Sequence, residues 1–170
     1  MKNLRTLIAI IAIVLISTVS YSQKLGHIPN AMDLVTLMPD FQSKQKTLET
    51  YAAQLDAQYK SMMNDYQTKG RSFLEADQAG TMSELVKTTK QKELENLQSQ
   101  IVQFETDAQQ KIAAKENELF APMIEKIRGA IKQVGTDNGF DYIFDLSTGG
   151  FVFAKETLDV TGLVKTKLGL

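Results

Sequence analysis

Gln78-Ala79-Gly80-Thr81-Met82-Ser83-Glu84 is the stretch on which the reading of the fold turns. It interrupts a polar, Gln-rich tract over residues 40–120 that holds no Pro and only two Gly. Gly80 suits the position just past a helix C-terminus, where left-handed backbone is needed. Thr81 and Glu84 have the spacing of a capping box, which makes Thr81 the expected N-cap of a second helix, with Glu84 at its third residue. A link this short between two long helices must turn the chain back on itself. The tract therefore reads as an antiparallel helical hairpin rather than one continuous helix. Each limb has ~40 residues, and at ~1.5 Å per residue the hairpin is roughly 55–60 Å long.

The apolar pattern on either side agrees. Downstream it runs Leu94, Leu97, Ile101, Phe104, Ala108, Ile112, then Leu119, Met123, Ile127, Ile131 and Val134, with Lys115 filling one gap. The mean step is roughly 3.6, the helical period. Upstream, Phe41, Leu48, Tyr51, Leu55, Met62, Tyr66 and Phe73 form a thinner stripe, richer in Tyr and Met. Pro122 falls inside the second pattern. It lacks an amide donor and crowds the carbonyl of Glu118, so a kink is expected there.

Beyond the hairpin the texture changes. Phe140, Tyr142 and Phe144 alternate with Asp141, Ile143 and Asp145, as in a strand. Ser147-Thr148-Gly149-Gly150 has turn chemistry, and Phe151-Val152-Phe153-Ala154 reads as the returning strand of a β-hairpin. Lys24-Leu25-Gly26-His27-Ile28 reads as a third short strand, stopped by Pro29. Asn30 is placed to cap a small helix through Met38, with Asp33 in its first turn. Asp159 or Thr161 is placed to cap a last helix that ends at Gly169.

At the other end, Lys2 and Arg5 precede an apolar run from Leu7 to Ile16, followed by small residues that include Ser20 and Ser22. This is the pattern of a signal peptide over residues 1–22, cleaved before Gln23. Its removal leaves 17 basic residues against 20 acidic ones. That balance gives no footprint for nucleic acid. The absence of Cys excludes disulfides, thiolate nucleophiles and Cys-type metal sites.

The expected organisation is α+β and mostly helical. A helical-hairpin arm over residues 40–123, with its tip near 78–83, is inserted into a small β-rich body made of residues 23–39 and 124–170. At about 64 residues and without disulfides, such a body has a marginal core. Three short strands would also leave bare edges. Association of several copies through the body removes both defects. Leu25, Ile28, Tyr142, Phe144, Phe151 and Phe153 are the candidate residues for that role.

Few residues suggest chemistry. His27 is the single imidazole, with no acid near it in the chain, and reads as a packing residue. Asp141 and Asp145 read as a solvated strand face. Gly149-Gly150 lacks the Lys-Ser/Thr of a phosphate loop. No catalytic, cofactor or metal residue is assigned, and no enzyme activity is expected. The arm is more informative. Tyr59, Met62, Met63, Tyr66, Phe73 and Met82 gather toward its distal half. Met and Tyr suit loose contact with varied apolar partners. Lys69, Arg71, Lys87, Lys90 and Lys92 come to one level if the helices pair about Gly80. They could meet an anionic partner such as lipid or lipopolysaccharide, or form ion pairs with the interspersed acids.

The whole layout resembles the OmpH/Skp family of periplasmic chaperones. The residues that carry the resemblance are Lys24-Leu25-Gly26-His27-Ile28, Leu37-Met38-Pro39-Asp40-Phe41, Lys92-Glu93-Leu94 with Leu97-Gln98, and Leu119-Phe120-Ala121-Pro122-Met123-Ile124. Phe140-Asp141-Tyr142-Ile143-Phe144-Asp145, Asp159-Val160-Thr161 and Leu168-Gly169-Leu170 complete the series. The resemblance implies a homotrimer in the periplasm. Its helical arms would enclose a cavity for unfolded outer-membrane proteins, without ATP or any cofactor. A structural coiled-coil adaptor or spacer of the cell envelope, with one defined partner, shares the same sequence pattern.

Overall fold

The computed structural model describes residues 22–170. Apart from Ser22, the predicted leader lies outside them. The elements run in the order β1 (Leu25–Ile28), α1 (Asp33–Thr36), α2 (Phe41–Gln78), α3 (Glu84–Asn138), β2 (Tyr142–Asp145) and α4 (Thr161–Leu168). Two 3-10 turns, Leu146–Thr148 and Glu156–Leu158, lie between β2 and α4. The described chain divides into two compact units. One joins the residues up to Ala31 with Ile127–Leu170, and the other is Met32–Lys126.

In the second unit α2 and α3 form the hairpin. The Phe41 and Phe120 rings meet at 5.7 Å. Lys87 Nζ reaches Asp77 Oδ1 at 2.7 Å at the other end. Contacts of early with late residues and of late with early ones define an antiparallel pair. Gly80 takes φ +64°, as its place after the helix end requires. The N-cap of α3, however, is Ser83 and not Thr81. The Ser83 carbonyl accepts from the Lys87 amide at 2.9 Å, and its hydroxyl accepts from the Val86 amide at 3.4 Å. Thr81 serves the other helix, with its hydroxyl donating to the Ala76 carbonyl at 3.1 Å. The seam is thin. Leu55 is the one buried residue of α2, and Ile101 and Met123 are buried on the facing stretch of α3. α3 continues through Pro122 as a single element of 55 residues.

The small helix before the hairpin is shorter than its sequence suggests. α1 is a single turn, and Met32 occupies the N-cap place with no side-chain cap. Its Leu34 and Val35 are buried together with Met38.

The β-structure of the first unit differs from the expected hairpin. β1 and β2 pair in parallel, with Leu25 opposite Tyr142 and Ile28 opposite Asp145. Parallel pairing needs a long crossover, and here α1, α2 and α3 supply it. The returning strand at 151–154 does not form, so among the described residues the sheet has two strands, not three. Asp145 explains the difference. Its Oδ1 accepts from the Ser147 amide at 3.0 Å and from the Ser147 hydroxyl at 2.6 Å. That side chain bends the chain into a 3-10 turn before it can reverse. Gly149 and Gly150, at φ +86° and +90°, then carry the backbone away from β2.

The core of this unit gathers Ile28, Ile127, Ala130, Val134, Val160 and Val164, with His27 among them. Ile143 packs on α3 at Gly135, where an added Cβ would lie 3.6 Å from its side chain. The free side of β1 is taken by the segment before α4. The Val160 amide donates to the His27 carbonyl at 2.9 Å. The Asp159 carboxylate accepts from the Thr161 amide at 2.7 Å at the start of α4, and Gly169 closes that helix in left-handed backbone.

Candidate functional site

The candidate contact residues of the hairpin follow from helical spacing. Tyr59, Met62, Met63 and Tyr66 fall at i, i+3, i+4 and i+7, so they share one face of α2, and Phe73 continues it. All five are half-buried, as is Met82 in the link. Tyr59 lines a shallow cleft with Leu55, Phe104, Ala108 and Ile112. Phe73 lines another with Lys69, Lys90 and Leu94. This face therefore flanks the seam and stays partly open to solvent. Sequence reasoning missed the apolar residues that point away from the seam. Leu74 is 57% exposed and Leu85 78% exposed, and Val86 and Val102 are also open. The adjacent pair Leu85-Val86 was the available signal, since neighbours on a helix cannot both face one partner.

The predicted cations are only partly brought together. Lys69 and Lys90 line the same cleft as Phe73. Lys69 pairs with Asp65 at 3.2 Å, one turn back. Lys87 bridges the two helices to Asp77. The hydrogen bond that the Lys87 ammonium donates to the Asp77 carboxylate, and that carboxylate's charge, hold the ammonium above its ordinary pKa, against the smaller opposing effect of burial. Arg71 and Lys92 are exposed and line neither cleft. Two of the five, Lys69 and Lys87, thus belong to a salt-bridged helix surface.

In the body, Ile28 is buried while Leu25 is 39% exposed. Tyr142, Phe144 and Phe151 form an aromatic row, with ring centroids 6.0 Å and 5.1 Å apart. Its outer members, Tyr142 and Phe151, are about half open, and Phe153 is 79% exposed. The far edge of β2 has no neighbouring strand among the described residues.

Of the two carboxylates expected on a solvated face, Asp141 is exposed and Asp145 is half-buried, and both also take structural hydrogen bonds. Asp141 accepts from the Lys24 amide at 2.7 Å, and its own amide donates to the Lys24 carbonyl at 2.8 Å. Asp145 also accepts from the Ala31 amide at 3.3 Å. Burial alone would push the Asp145 carboxyl up, but the hydrogen bonds from Ser147 and Ala31 outweigh it and leave its pKa lowered. His27 is buried, as a packing residue should be. Its neighbour is an acid remote in sequence, because His27 and Asp159 form a parallel bridge. Burial raises the Asp159 pKa, yet the Thr161 hydrogen bonds and the charges of His27 and Lys165 bring it down. Among the described residues no group of three His, Asp or Glu side chains could hold a metal ion. No helix among them is long and apolar enough to cross a membrane.

The OmpH family model, described as outer membrane protein (OmpH-like), matches residues 24–168. The chain belongs to the OmpH-like family. The fold agrees. The OmpH-like chain is similar to the crystal structure of a candidate outer membrane chaperone (OmpH-like) from Caulobacter crescentus CB15. The TM-score is 0.69 at 13% identity, over 86% of this chain and 84% of that one. No curated protein matches the OmpH-like sequence.

Proposed function

We propose that this protein is an ATP-independent holdase of the periplasm. It binds unfolded outer-membrane proteins and keeps them from aggregating. Membership of the OmpH-like family supports the class of function. The observation that carries the holding role is the composition of the hairpin. Its helices bury few side chains against each other, while Tyr59, Met62, Met63, Tyr66 and Phe73 stay half-open along one face. Polarizable thioethers and amphipathic rings give many weak contacts to apolar segments of differing shape. Weak contacts shorten the life of each one, so release needs no hydrolysis. Keeping one unfolded chain apart from the next blocks the encounters that lead to aggregates.

The body supports a self-assembled form. The open edge of β2 and the exposed Phe151–Phe153 segment are liabilities in a lone chain. Further copies of the chain would cover them, and a homotrimer is the proposed state. In this reading residues 23–39 and 124–170 make the oligomer, and residues 40–123 hold the client.

The test is light scattering of several unrelated denatured β-barrel proteins on dilution, with and without the mature protein in stoichiometric amount. Suppression for all of them is expected. Strict selectivity for one would replace the holdase with an adaptor. Deleting residues 60–100 should abolish suppression and leave the solution mass at three times that of the shortened chain.

A further inference from the structure

We propose that a cavity of about 600 Å³ at the open end of the hairpin is a discrete subsite for an apolar client segment flanked by Lys or Arg. Its choice of occupant rests on the holdase reading, and the site itself on geometry alone.

Three helices wall it. Phe41, Gln45 and Leu48 recur at i, i+4 and i+7 on α2. Ala113, Phe120, Ala121 and Ile124 fall on one stripe of α3. Val35 closes the cavity from α1. The space exists because Ala113 and Ala121 are short where Phe or Leu would fill it. Its volume lies within the ~300–1,000 Å³ of small-ligand sites. The walls are apolar, and Met32, 53% exposed, adds a flexible thioether.

Charge selects the occupant. The lining residues include the acids Asp33 and Glu116 and no Lys or Arg. An acyl chain with an anionic head would bring like charge to them. An aromatic or aliphatic peptide segment with cationic neighbours would bring opposite charge. Its backbone amides would also find acceptors in the Gln45 and Asn117 side chains.

The test uses the full mature protein and a fluorescein-labelled peptide with a Phe-Leu-Phe centre and two Lys at each end. A twin carrying Glu in place of Lys is the control, and anisotropy is the readout. The Lys peptide should bind saturably and about tenfold tighter than the Glu twin. Ala113→Phe should weaken the Lys peptide by about tenfold with helicity unchanged by circular dichroism. Position 113 is exposed, so the ring can enter without displacing a packed side chain. Glu116→Lys, also at an exposed position, should erase the preference between the two peptides. It carries the test if Ala113→Phe disturbs folding.

Binding unchanged in both variants would overturn the proposal. So would displacement of the peptide by dodecanoate that itself binds more tightly, since the occupant would then be an acyl chain. A change in solution mass on Ala113→Phe would overturn it in favour of a second copy of the chain. Aggregation assays separate the two claims. Suppression without any peptide preference removes the subsite and keeps the holdase. Peptide preference without suppression does the reverse.

Discussion

The Phe41 and Phe120 rings lie 5.7 Å apart and are tilted by 39°, and this pair sets the register of the hairpin at its open end. Two half-buried aromatic rings do what a continuous apolar seam does elsewhere. Phe120→Ala should therefore lower stability by about 2 kcal/mol, below the ~3–5 kcal/mol of a fully buried ring. A double-mutant cycle with Phe41→Leu and Phe120→Leu should show a coupling of about 1 kcal/mol. Urea unfolding followed by circular dichroism measures both, and a coupling near zero would mean that the rings pack independently.

Gly26 faces a different limit. A Cβ there would lie 2.9 Å from the Val160 side chain and 3.2 Å from the Phe140 ring. Val160 is buried and cannot swing away. Gly26→Ala should destabilise the body by about 1–3 kcal/mol, as overpacking does. Pairing it with Val160→Ala should recover part of the loss, and the absence of any recovery would deny the contact.

Acid sensitivity should come from Asp145 and Asp159. Both carboxyls are held below the ordinary value of 3.8 in the fold. The unfolded chain thus takes up their protons first as pH falls. Their contribution is complete above that ordinary value and drains away as pH drops through the lowered ones. The Asp145→Asn, Asp159→Asn double variant should lose stability at neutral pH and show a flatter acid limb. Thermal melts between pH 7 and pH 3 would reveal this, and parallel curves for the two proteins would contradict it.

At the tip, backbone should matter more than charge. Gly80 sits at φ +64°, where a Cβ costs ~1–2 kcal/mol. The Asp77–Lys87 pair is about one-third exposed on each side, and water and salt screen such pairs so that they contribute little to stability. Gly80→Ala should thus destabilise the hairpin more than Lys87→Met does. The opposite ranking would give the cross-link the larger role.

The hairpin was legible because its signals are local. Period, a left-handed Gly and a cap all lie within a few turns of the residues they organise. Even the misplaced cap, Thr81 for Ser83, was an error of two positions within one turn. The strand pairing of the body was misread because its determinants are distant. Nothing near Tyr142 in the chain tells that its partner is Leu25. The local cue, two glycines after an alternating run, pointed to a β-hairpin that the Asp145 side chain prevents. The same reason hid Asp159 from His27. The cavity at the open end was unreadable as well. It depends on two alanines standing where three helices meet, and alanine in a helix carries no positional signal.

Asp141 and Lys24 hold each other across 117 residues of chain. Loop-closure entropy opposes so remote a pairing until the intervening segment has shortened the gap. The helices can form from neighbouring contacts alone, and the Phe41–Phe120 approach draws the flanking segments together. Strand pairing should therefore be the last event of maturation. The segment around Leu25, made early in synthesis, waits unpaired while the rest of the chain is delivered. For that interval the protein is itself an unfinished β-structure in need of protection.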